Sequence, residues 1–322
     1  MARNLGLVLG SSLGPERLAT AAQEAEKAGF ADLWLAEDFF FTGGIAGAAI
    51  ALGATQDIRV GLGVVSALVR HPALLAMEIS TIARAFPGRF VPGIGLGVPS
   101  WIRQMGLVPD SPLTVVRESV TAVRRLLDGE ELSEAGGVFE FDRVHLAFPS
   151  VERIPIHLGV IGPKMLELSG EIADGSVLSV LAGTDYISWA RQRIDAGRKR
   201  AGRTDNHHVT AFAIYSVDPS ASRAIDAAES TLAFYLAAGG RNALSDAAGI
   251  SERLPEILSQ PRSATARELV DALTITGTPD EVGAKIQRLF DAGADSVALF
   301  PTPPERAEEI IDLTARFVLP RF

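Results

Sequence analysis

Two adjacent carboxylates, Glu37 and Asp38, are the first residues in the chain whose type and position could support acid–base chemistry. They follow an apolar run at residues 32–36, which is typical of a strand, and neighbouring side chains of a strand point to opposite faces. One of the two carboxylates would therefore enter the open end of a sheet, where it could donate a proton to a substrate. The competing interpretation is an exposed acidic turn, and the pattern favours it for one member of the pair.

A second candidate site is the segment Ile161-Gly162-Pro163-Lys164-Met165, which joins an apolar run to a helical pattern. Proline in the first helical turn leaves the following backbone amides pointing outward, and the helix dipole adds partial positive charge there. Such an end binds anions, including phosphate, and Lys164 adds a full charge. The alternative is a capped turn with a solvated lysine, and the sequence leaves the two interpretations evenly balanced.

Glycines accumulate at the ends of two further predicted strands. Gly63 precedes Val64 and Ser66 at the end of one strand, and glycines recur at positions 93, 95 and 97 of the next. A strand end that is poor in side chains lets a planar ring lie against the backbone. Spacing alone favours the plainer alternative, which is tight packing of the strands.

The elements that would position these residues alternate between short apolar runs and amphipathic stretches. The predicted strands span residues 5–9, 32–36, 59–65, 89–95, 156–160, 176–180, 209–217 and 296–300. Eight strands that alternate with helices predict an α/β fold, a single (β/α)8 TIM barrel, in which working residues lie just after the strands. The structural alternative is an open doubly wound sheet, but Gly10 and Gly14 lack the GxGxxG spacing typical of it.

Helices are predicted between the strands, among them residues 72–85, 112–127, 163–172, 184–201 and 219–238. Thr278 and Glu281 form a capping box, with proline at the first helical position, and predict another helix start. Segments near 98–112, 136–150 and 239–275 do not fit the alternation and are expected to be insertions. A β-hairpin is predicted at 136–148, and residues 239–262 are expected to be irregular. We expect residues 1–322 to form one domain.

Composition excludes several functional classes. The formal net charge is -9 and basic residues form no long run, so a nucleic-acid partner is not expected. The chain has no cysteine, which excludes disulfides, thiolate zinc sites and iron–sulfur clusters, and no metal-ligand spacing is found. No stretch approaches the ~20 apolar residues of a membrane span. A cytoplasmic location is therefore expected.

Four stretches of the chain resemble the luciferase-like superfamily, and specifically its coenzyme F420-dependent branch. They are GLGVVSALVRHPALLAME, PGRFVPGIGLG, IPIHLGVIGPKMLELSGEIADGSVLS and GTPDEVGAKIQRLFDAGADSVALFP. The resemblance runs from Leu5 to about Phe317 and is weakest at 239–275. Its most specific part, GPKMLELSGEIADG, is most similar to the methylene-tetrahydromethanopterin reductase group.

The resemblance implies a TIM barrel with a deazaflavin or flavin across the strand ends. A non-prolyl cis peptide at Gly63-Val64 would back the ring. The residues implied for the cofactor ring are Gly63, Val64, Ser66, Leu96 and Gly97. Those implied for the cofactor phosphate, bound mostly through backbone amides, are Ile161, Gly162, Lys164 and Met165. Many family members have histidine at the position of Asp38, so a catalytic role of Glu37 or Asp38 as proton donor depends on position alone.

The resulting hypothesis is an F420-dependent oxidoreductase that transfers a hydride between the deazaflavin and a small organic substrate. A methylene-tetrahydropterin is the leading candidate substrate, and Phe39, Phe40, Phe41 and Trp101 would line the opening. Two alternatives remain, an FMN-dependent luciferase-like monooxygenase and a non-catalytic barrel that has lost its cofactor. Self-association into a homodimer or higher homo-oligomer is expected, with the small-residue helix at 45–54 as a candidate surface.

Overall fold

The computed structural model describes residues 4–135, 137–260 and 263–322. Within these residues eleven strands form one sheet, and every pairing between them is parallel. β7 and β8 form a separate antiparallel pair. The strands are β1 (Asn4–Leu9), β2 (Asp32–Leu35), β3 (Arg59–Leu62), β4 (Val65–Ser66), β5 (Phe90–Val91), β6 (Gly93–Gly95), β7 (Leu132–Glu134), β8 (Phe141–Val144), β9 (His157–Gly159), β10 (Gly175–Leu178), β11 (His208–Val217), β12 (Ile275–Gly277) and β13 (Ser296–Pro301).

The curled parallel sheet has the order β4-β6-β9-β10-β11-β13-β1-β2-β3-β5, and β12 pairs with β11. Its eleven strands differ from the eight that the sequence predicts. Gly63 and Val64 divide the predicted strand at 59–65 into β3 and β4. Pro92 divides the next into β5 and β6, because proline cannot donate a ladder hydrogen bond. The short strand β12 lies directly before the capping box and has no predicted counterpart.

Helices connect the strands, and the helices of the described residues include none long and apolar enough to cross a membrane. They are α1 (Leu18–Ala28), α2 (Gly44–Ala54), α3 (Pro72–Ala85), α4 (Pro99–Gln104), α5 (Pro112–Leu127), α6 (Pro163–Ile172), α7 (Thr184–Arg200), α8 (Ala221–Gly239), α9 (Ala243–Ala247), α10 (Leu254–Ser259), α11 (Ala264–Leu273), α12 (Pro279–Asp291) and α13 (Ala307–Phe317). Helices α3 and α6 have the bounds that the sequence predicts.

Local chemistry explains where several helices begin. Helix α3 begins at Pro72, and His71 Nδ1 accepts a hydrogen bond from the amide of Ala73. His71 is therefore the cap of this helix. Helix α12 begins with the predicted capping box, in which Thr278 and Glu281 exchange hydrogen bonds.

Two of the expected insertions have more structure than the sequence indicates. The segment 239–262, expected to be irregular, contains α9 and α10, so that expectation was wrong. A capping box at Asn242 starts α9, and the periodicity of such short helices is too brief to detect. The hairpin expected at 136–148 begins earlier, at β7. Residues 136, 261 and 262 of these segments lie outside the described part of the chain.

Aromatic side chains fill the interior of the curled sheet. Trp34 on β2 and Phe212 on β11 pack edge to face, with ring centroids 5.5 Å apart. A Cβ atom on Gly61 would lie 2.4 Å from the Trp34 ring, and one on Gly63 would lie 2.5 Å from Phe212. The glycines of the third predicted strand are therefore needed for tight packing of the interior side chains. This is the interpretation that spacing alone favours.

Buried histidines form a layer at the amino ends of the strands. His157 and His208 flank Gly175 in the sheet register, and their ring centroids lie 5.7 Å apart. Burial lowers the pKa of His157 to about 3, and His208 contributes to the same direction. His207 Nε2 lies 2.9 Å from Ser176 Oγ, and burial lowers the pKa of His207 to about 4. These imidazoles are neutral in the folded protein and lie away from the end of the strands where the site residues follow.

Candidate active site

The carboxyl ends of the strands bring together most of the residues that the sequence singles out. Glu37 follows β2, and both of its oxygens are occupied. Arg70 Nη1 donates to Oε1 at 2.6 Å, Arg70 Nη2 donates to Oε2 at 2.8 Å, and the Gly44 amide donates to Oε2 at 2.8 Å. The Glu37 side chain is only 6% exposed. Glu37 thus fixes the start of α2 and forms a buried ion pair with Arg70.

Arg70 joins a second carboxylate to this ion pair. Its Nε atom lies 3.5 Å from Glu78 Oε2, so one guanidinium serves two carboxylates. Hydrogen bonding to Glu37 raises the pKa of Arg70, whereas burial opposes the rise. Burial raises the pKa of the Glu78 carboxyl, and Arg70 opposes that rise. The hydrogen bonds to Glu37 thus favour the charged form of Arg70.

Asp38 has a different environment from its neighbour. Ser11, which follows β1, donates from Oγ to Asp38 Oδ2 at 2.5 Å. The next residues turn sharply, because the Phe41 amide bonds to the Asp38 carbonyl and Phe40 has φ +73°. Asp38 therefore stands in a tight turn between the loops after β1 and β2.

The peptide bond between Gly63 and Val64 is cis, which confirms what the resemblance implied. The Val64 side chain lies against glycines of the neighbouring strands. A Cβ atom on Gly95 would lie 2.6 Å from Val64 Cγ2, and one on Gly159 would lie 2.9 Å from both Val64 methyl groups. Only glycine at these positions leaves room for Val64, so β6 and β9 fix this part of the backbone.

Ser66 and Leu96 join the ends of β4 and β6. Ser66 Oγ donates to the Leu96 carbonyl at 2.6 Å and accepts from the Leu68 amide at 3.2 Å. Gly97 has φ +96°, and a Cβ atom there would lie 3.1 Å from the Phe39 ring. Because the Ser66 proton is already donated, Ser66 could offer a ligand only contact and its second lone pair.

The amino end of α6 lies just after β9. Gly162 is the N-cap residue and has no side chain to bond the first amides of the helix. Pro163 contributes no amide, and the amides of Lys164 and Met165 precede the first intrahelical donor, that of Leu166. Ile161 and Lys164 are exposed, and the Ile161 carbonyl accepts from Tyr186 Oη at 2.7 Å. The geometry is that of an anion site.

Aromatic side chains surround the opening unevenly. Phe39 is buried and lies 6.3 Å from Trp101, centroid to centroid, beneath Gly97. Phe40 and Phe41 are 69% and 60% exposed, and so are free to contact a ligand. The four aromatics of the predicted opening thus divide into a packed pair and an exposed pair.

Sequence reasoning did not connect three residues at this end of the sheet to the predicted site. Arg70 is 33 positions from Glu37, and Ser11 is 27 positions from Asp38, so no local spacing connects them. Tyr235 belongs to α8, and its ring packs edge to face on Phe300 at the end of β13, with centroids 6.1 Å apart. The available signal was that Ser11 and Arg70 both follow strands, because strand ends of a parallel sheet meet at one edge.

The model of the luciferase-like monooxygenase family matches residues 2–296. The chain belongs to this family. A luciferase-like relative, 5,10-methylenetetrahydromethanopterin reductase of Methanolobus tindarius, is 31% identical over 309 residues, which cover 91% of this chain and 93% of that protein. An F420-dependent glucose-6-phosphate dehydrogenase of Microbacterium testaceum is 26% identical and covers 96% of this chain and 94% of that protein.

Solved structures of luciferase-like proteins match along the whole chain. The coenzyme F420-dependent tetrahydromethanopterin reductase of Methanopyrus kandleri superposes with a TM-score of 0.84 at 26% identity, and the match covers 100% of both chains. The curled parallel sheet with its outer helices thus matches the luciferase-like TIM-barrel architecture.

Proposed function

We propose that this protein is an F420-dependent oxidoreductase that transfers a hydride between the deazaflavin and a small organic substrate. The observation that carries the proposal is the uncapped amino end of α6, where Gly162 leaves the Lys164 and Met165 amides for an anion. The similar proteins that cover nearly the whole chain and are described as F420-dependent support it.

The described residues fit such a cofactor at two places. The amides of Lys164 and Met165, with the Lys164 ammonium, would hold its phosphate. The cis Gly63-Val64 segment, Leu96 and Gly97 would border its ring, because the glycines of β6 and β9 leave room for Val64 and so fix this part of the backbone. When bound, the deazaflavin supplies the carbon that gives or takes a hydride. The protein's part is to bind, orient and exclude water.

A methylene-tetrahydropterin is the proposed substrate. The curated relatives at 31% and 30% identity carry the name 5,10-methylenetetrahydromethanopterin reductase and match more than nine-tenths of the chain. The exposed rings of Phe40 and Phe41 would suit a flat heteroaromatic molecule, which gains from stacking on aromatic faces.

The architecture is proposed to be one closed eight-stranded barrel domain with three insertions. If β3 is counted with β4 and β5 with β6, the parallel pairings form a ring, because β3 pairs with β5 and β6 pairs with β9. The insertions would be 98–112, 136–150 and 239–275. A cytoplasmic homo-oligomer is also proposed, and the outer face of α2 supports self-association, since its exposed residues carry no charge.

The test is a fluorescence titration of the purified protein with F420 and, separately, with FMN. Gly162→Asp is the sharpest variant, because a side chain at Gly162 would meet open space and its carboxylate would occupy the amides. We expect its F420 affinity to fall on the order of 100-fold through repulsion of the phosphate. Gly162→Ala, which leaves the amides free, should lose far less, and Lys199→Ala on an exposed helix end should match wild type.

Each outcome of this titration assigns a function. Tight F420 binding that Gly162→Asp weakens on the order of 100-fold supports the proposal. Tight binding of FMN alone would move the protein to the FMN-dependent monooxygenases, and binding of neither cofactor would leave a non-catalytic barrel.

A further inference from the structure

The loop between β9 and α6 is held by a side chain from the neighbouring helix α7. Tyr186, in the first turn of α7, donates from Oη to the Ile161 carbonyl at 2.7 Å. No other donor to this carbonyl is found within the described residues. The Ile161 side chain is exposed and does not anchor the loop in the core. The Tyr186 hydroxyl is therefore the contact that fixes the peptide between Ile161 and Gly162.

A peptide with a fixed carbonyl also has a fixed N–H. The bond between Ile161 and Gly162 is trans, and in a trans peptide the C=O and N–H bonds point in opposite directions. The Gly162 amide therefore points away from Tyr186, and no acceptor for it is found in the part of the chain that the structure describes. It lies directly before the free amides of Lys164 and Met165. The orientation of this peptide thus decides how the start of α6 presents its donors.

Tyr186 is itself firmly placed and permanently protonated at neutral pH. The residue is 2% exposed, and its ring lies 5.5 Å from the ring of Trp189, centroid to centroid. Burial raises the pKa of Tyr186 well above its usual range, so the phenol keeps its proton. The side chain is therefore a hydrogen-bond donor with one orientation.

Helices α6 and α7 are also in direct backbone contact. A Cβ atom on Gly170 of α6 would lie 2.0 Å from the Ile194 carbonyl oxygen. One on Gly197 of α7 would lie 1.9 Å from the Glu167 carbonyl oxygen. Any side chain at either glycine would push the helices apart. The two helices are therefore fixed relative to each other, so a donor on α7 keeps its place beside the start of α6.

The acceptor distinguishes Tyr186 from a buried tyrosine that serves folding alone. A buried phenol needs a hydrogen-bond partner wherever it lies. Tyr215 shows the plainer arrangement, because it is 1% exposed and its Oη lies 2.9 Å from Oγ1 of the buried Thr314. Tyr186 instead bonds to the backbone of an exposed residue, directly before the N-cap of α6. Its hydroxyl therefore controls a peptide at the surface where an anion would bind.

We propose that Tyr186 is the positioning residue of the phosphate site. It holds the peptide before Gly162, and the free amides at the start of α6 then face one anion together. Without the hydroxyl this peptide can rotate, and the anion must order it on binding, which lowers the affinity. The identity of the anion, the phosphate of the cofactor, rests on the proposed function.

A fluorescence titration with two ligands separates positioning from folding. The ligands are F420 and its deazaflavin core without the phosphate. Tyr186→Phe keeps the ring against Trp189 and should bind F420 on the order of 10-fold more weakly than wild type, with unchanged affinity for the phosphate-free core. Tyr215→Phe loses an equally buried hydroxyl and should match wild type with both ligands. Unchanged F420 affinity in Tyr186→Phe, or an equal loss with both ligands, would overturn the proposal.

A double variant tests whether Tyr186 acts through the phosphate site. In Gly162→Asp the introduced carboxylate occupies the amides that Tyr186 is proposed to position. Adding Tyr186→Phe to Gly162→Asp should therefore weaken F420 binding by less than about threefold, because the two changes affect the same contact. A further loss on the order of 10-fold, equal to that of the single variant, would place the effect of Tyr186 elsewhere and contradict the proposal.

Hydrogen exchange on the cofactor-free protein tests the same contact without a ligand. The Leu166 amide bonds to the Gly162 carbonyl, so its exchange reports whether the loop keeps its place. Tyr186→Phe should speed this exchange on the order of 10-fold, whereas Tyr215→Phe and the first turn of α12 should show no change. Equal exchange of Leu166 in wild type and Tyr186→Phe would overturn the positioning role. Absence of F420 binding to wild type would instead refute the proposed function, and the exchange result would still stand.

Discussion

The buried histidines make the fold sensitive to mild acid. His157 is 5% exposed, and its pKa of about 3 lies far below the ordinary 6.5. The unfolded chain therefore binds a proton between these values that the folded chain does not, so stability is full above pH 6.5 and falls as the pH decreases toward 3. At pH 5 the unfolded imidazole is almost fully protonated, and the loss from His157 is about 2 kcal/mol.

His207 adds a similar loss, because burial also lowers its pKa, to about 4. Glu78 acts in the opposite direction, because burial raises the pKa of its carboxyl above the ordinary value. The pKa values of Asp205 and Asp218 are lowered to about 2, so their stabilisation is lost only below the ordinary value of 3.8. The contribution of one histidine is therefore isolated by comparing wild type with a variant that lacks it.

The assay is reversible urea unfolding at pH 7 and pH 5. In His157→Gln the decrease in unfolding free energy between the two pH values should be smaller than in wild type by about 2 kcal/mol. His145→Gln is the matched control, since that side chain is 61% exposed. Equal decreases in His157→Gln and wild type would refute the reasoning that burial keeps this imidazole neutral.

Three further predictions concern the site and one helix start. Arg70→Ala leaves the Glu37 carboxylate buried without its partner and should lower the unfolding free energy by about 3 kcal/mol, measured in urea, whereas Arg70→Lys should lose less. Gly95→Ala puts a methyl group against Val64 and should cost ~1–3 kcal/mol; Val64→Ala in the same chain should restore most of it, and failure of that rescue would contradict the packing described. Thr278→Ala removes the α12 cap and should cost about 1 kcal/mol in thermal unfolding, while an unchanged melting temperature would argue against the capping box.

Local signals allowed much of the fold to be predicted. Pro72 and Pro163 fix the first turns of α3 and α6, and these helices have the predicted bounds. The capping box at Thr278 is likewise complete within four residues. The residue that breaks a predicted strand, such as Pro92, is evident in the sequence. Its effect on strand pairing is not, because the pairing depends on neighbouring strands that are distant in sequence.

The site was only partly predictable, because its members meet through long-range contacts. The glycines around Val64 and the start of α6 are evident from spacing and resemblance. The pairing of Glu37 with Arg70 is not evident from the sequence. Arg70 donates to both oxygens of Glu37, so among the described residues only the adjacent Asp38 keeps a carboxylate oxygen without a donor. Tyr235 lies on α8, and its contact with Phe300 depends on how that helix packs over β13. Such contacts follow from tertiary packing, which no local pattern encodes.

The most direct measurement is a crystal structure of the protein with F420 bound. We expect a phosphate within hydrogen-bond distance of the Lys164 and Met165 amides and a deazaflavin ring against the Gly63-Val64 segment. We also expect the open face of the ring to point toward Asp38. A phosphate bound elsewhere, or a ring that leaves the Gly63-Val64 segment in solvent, would contradict the proposed cofactor site.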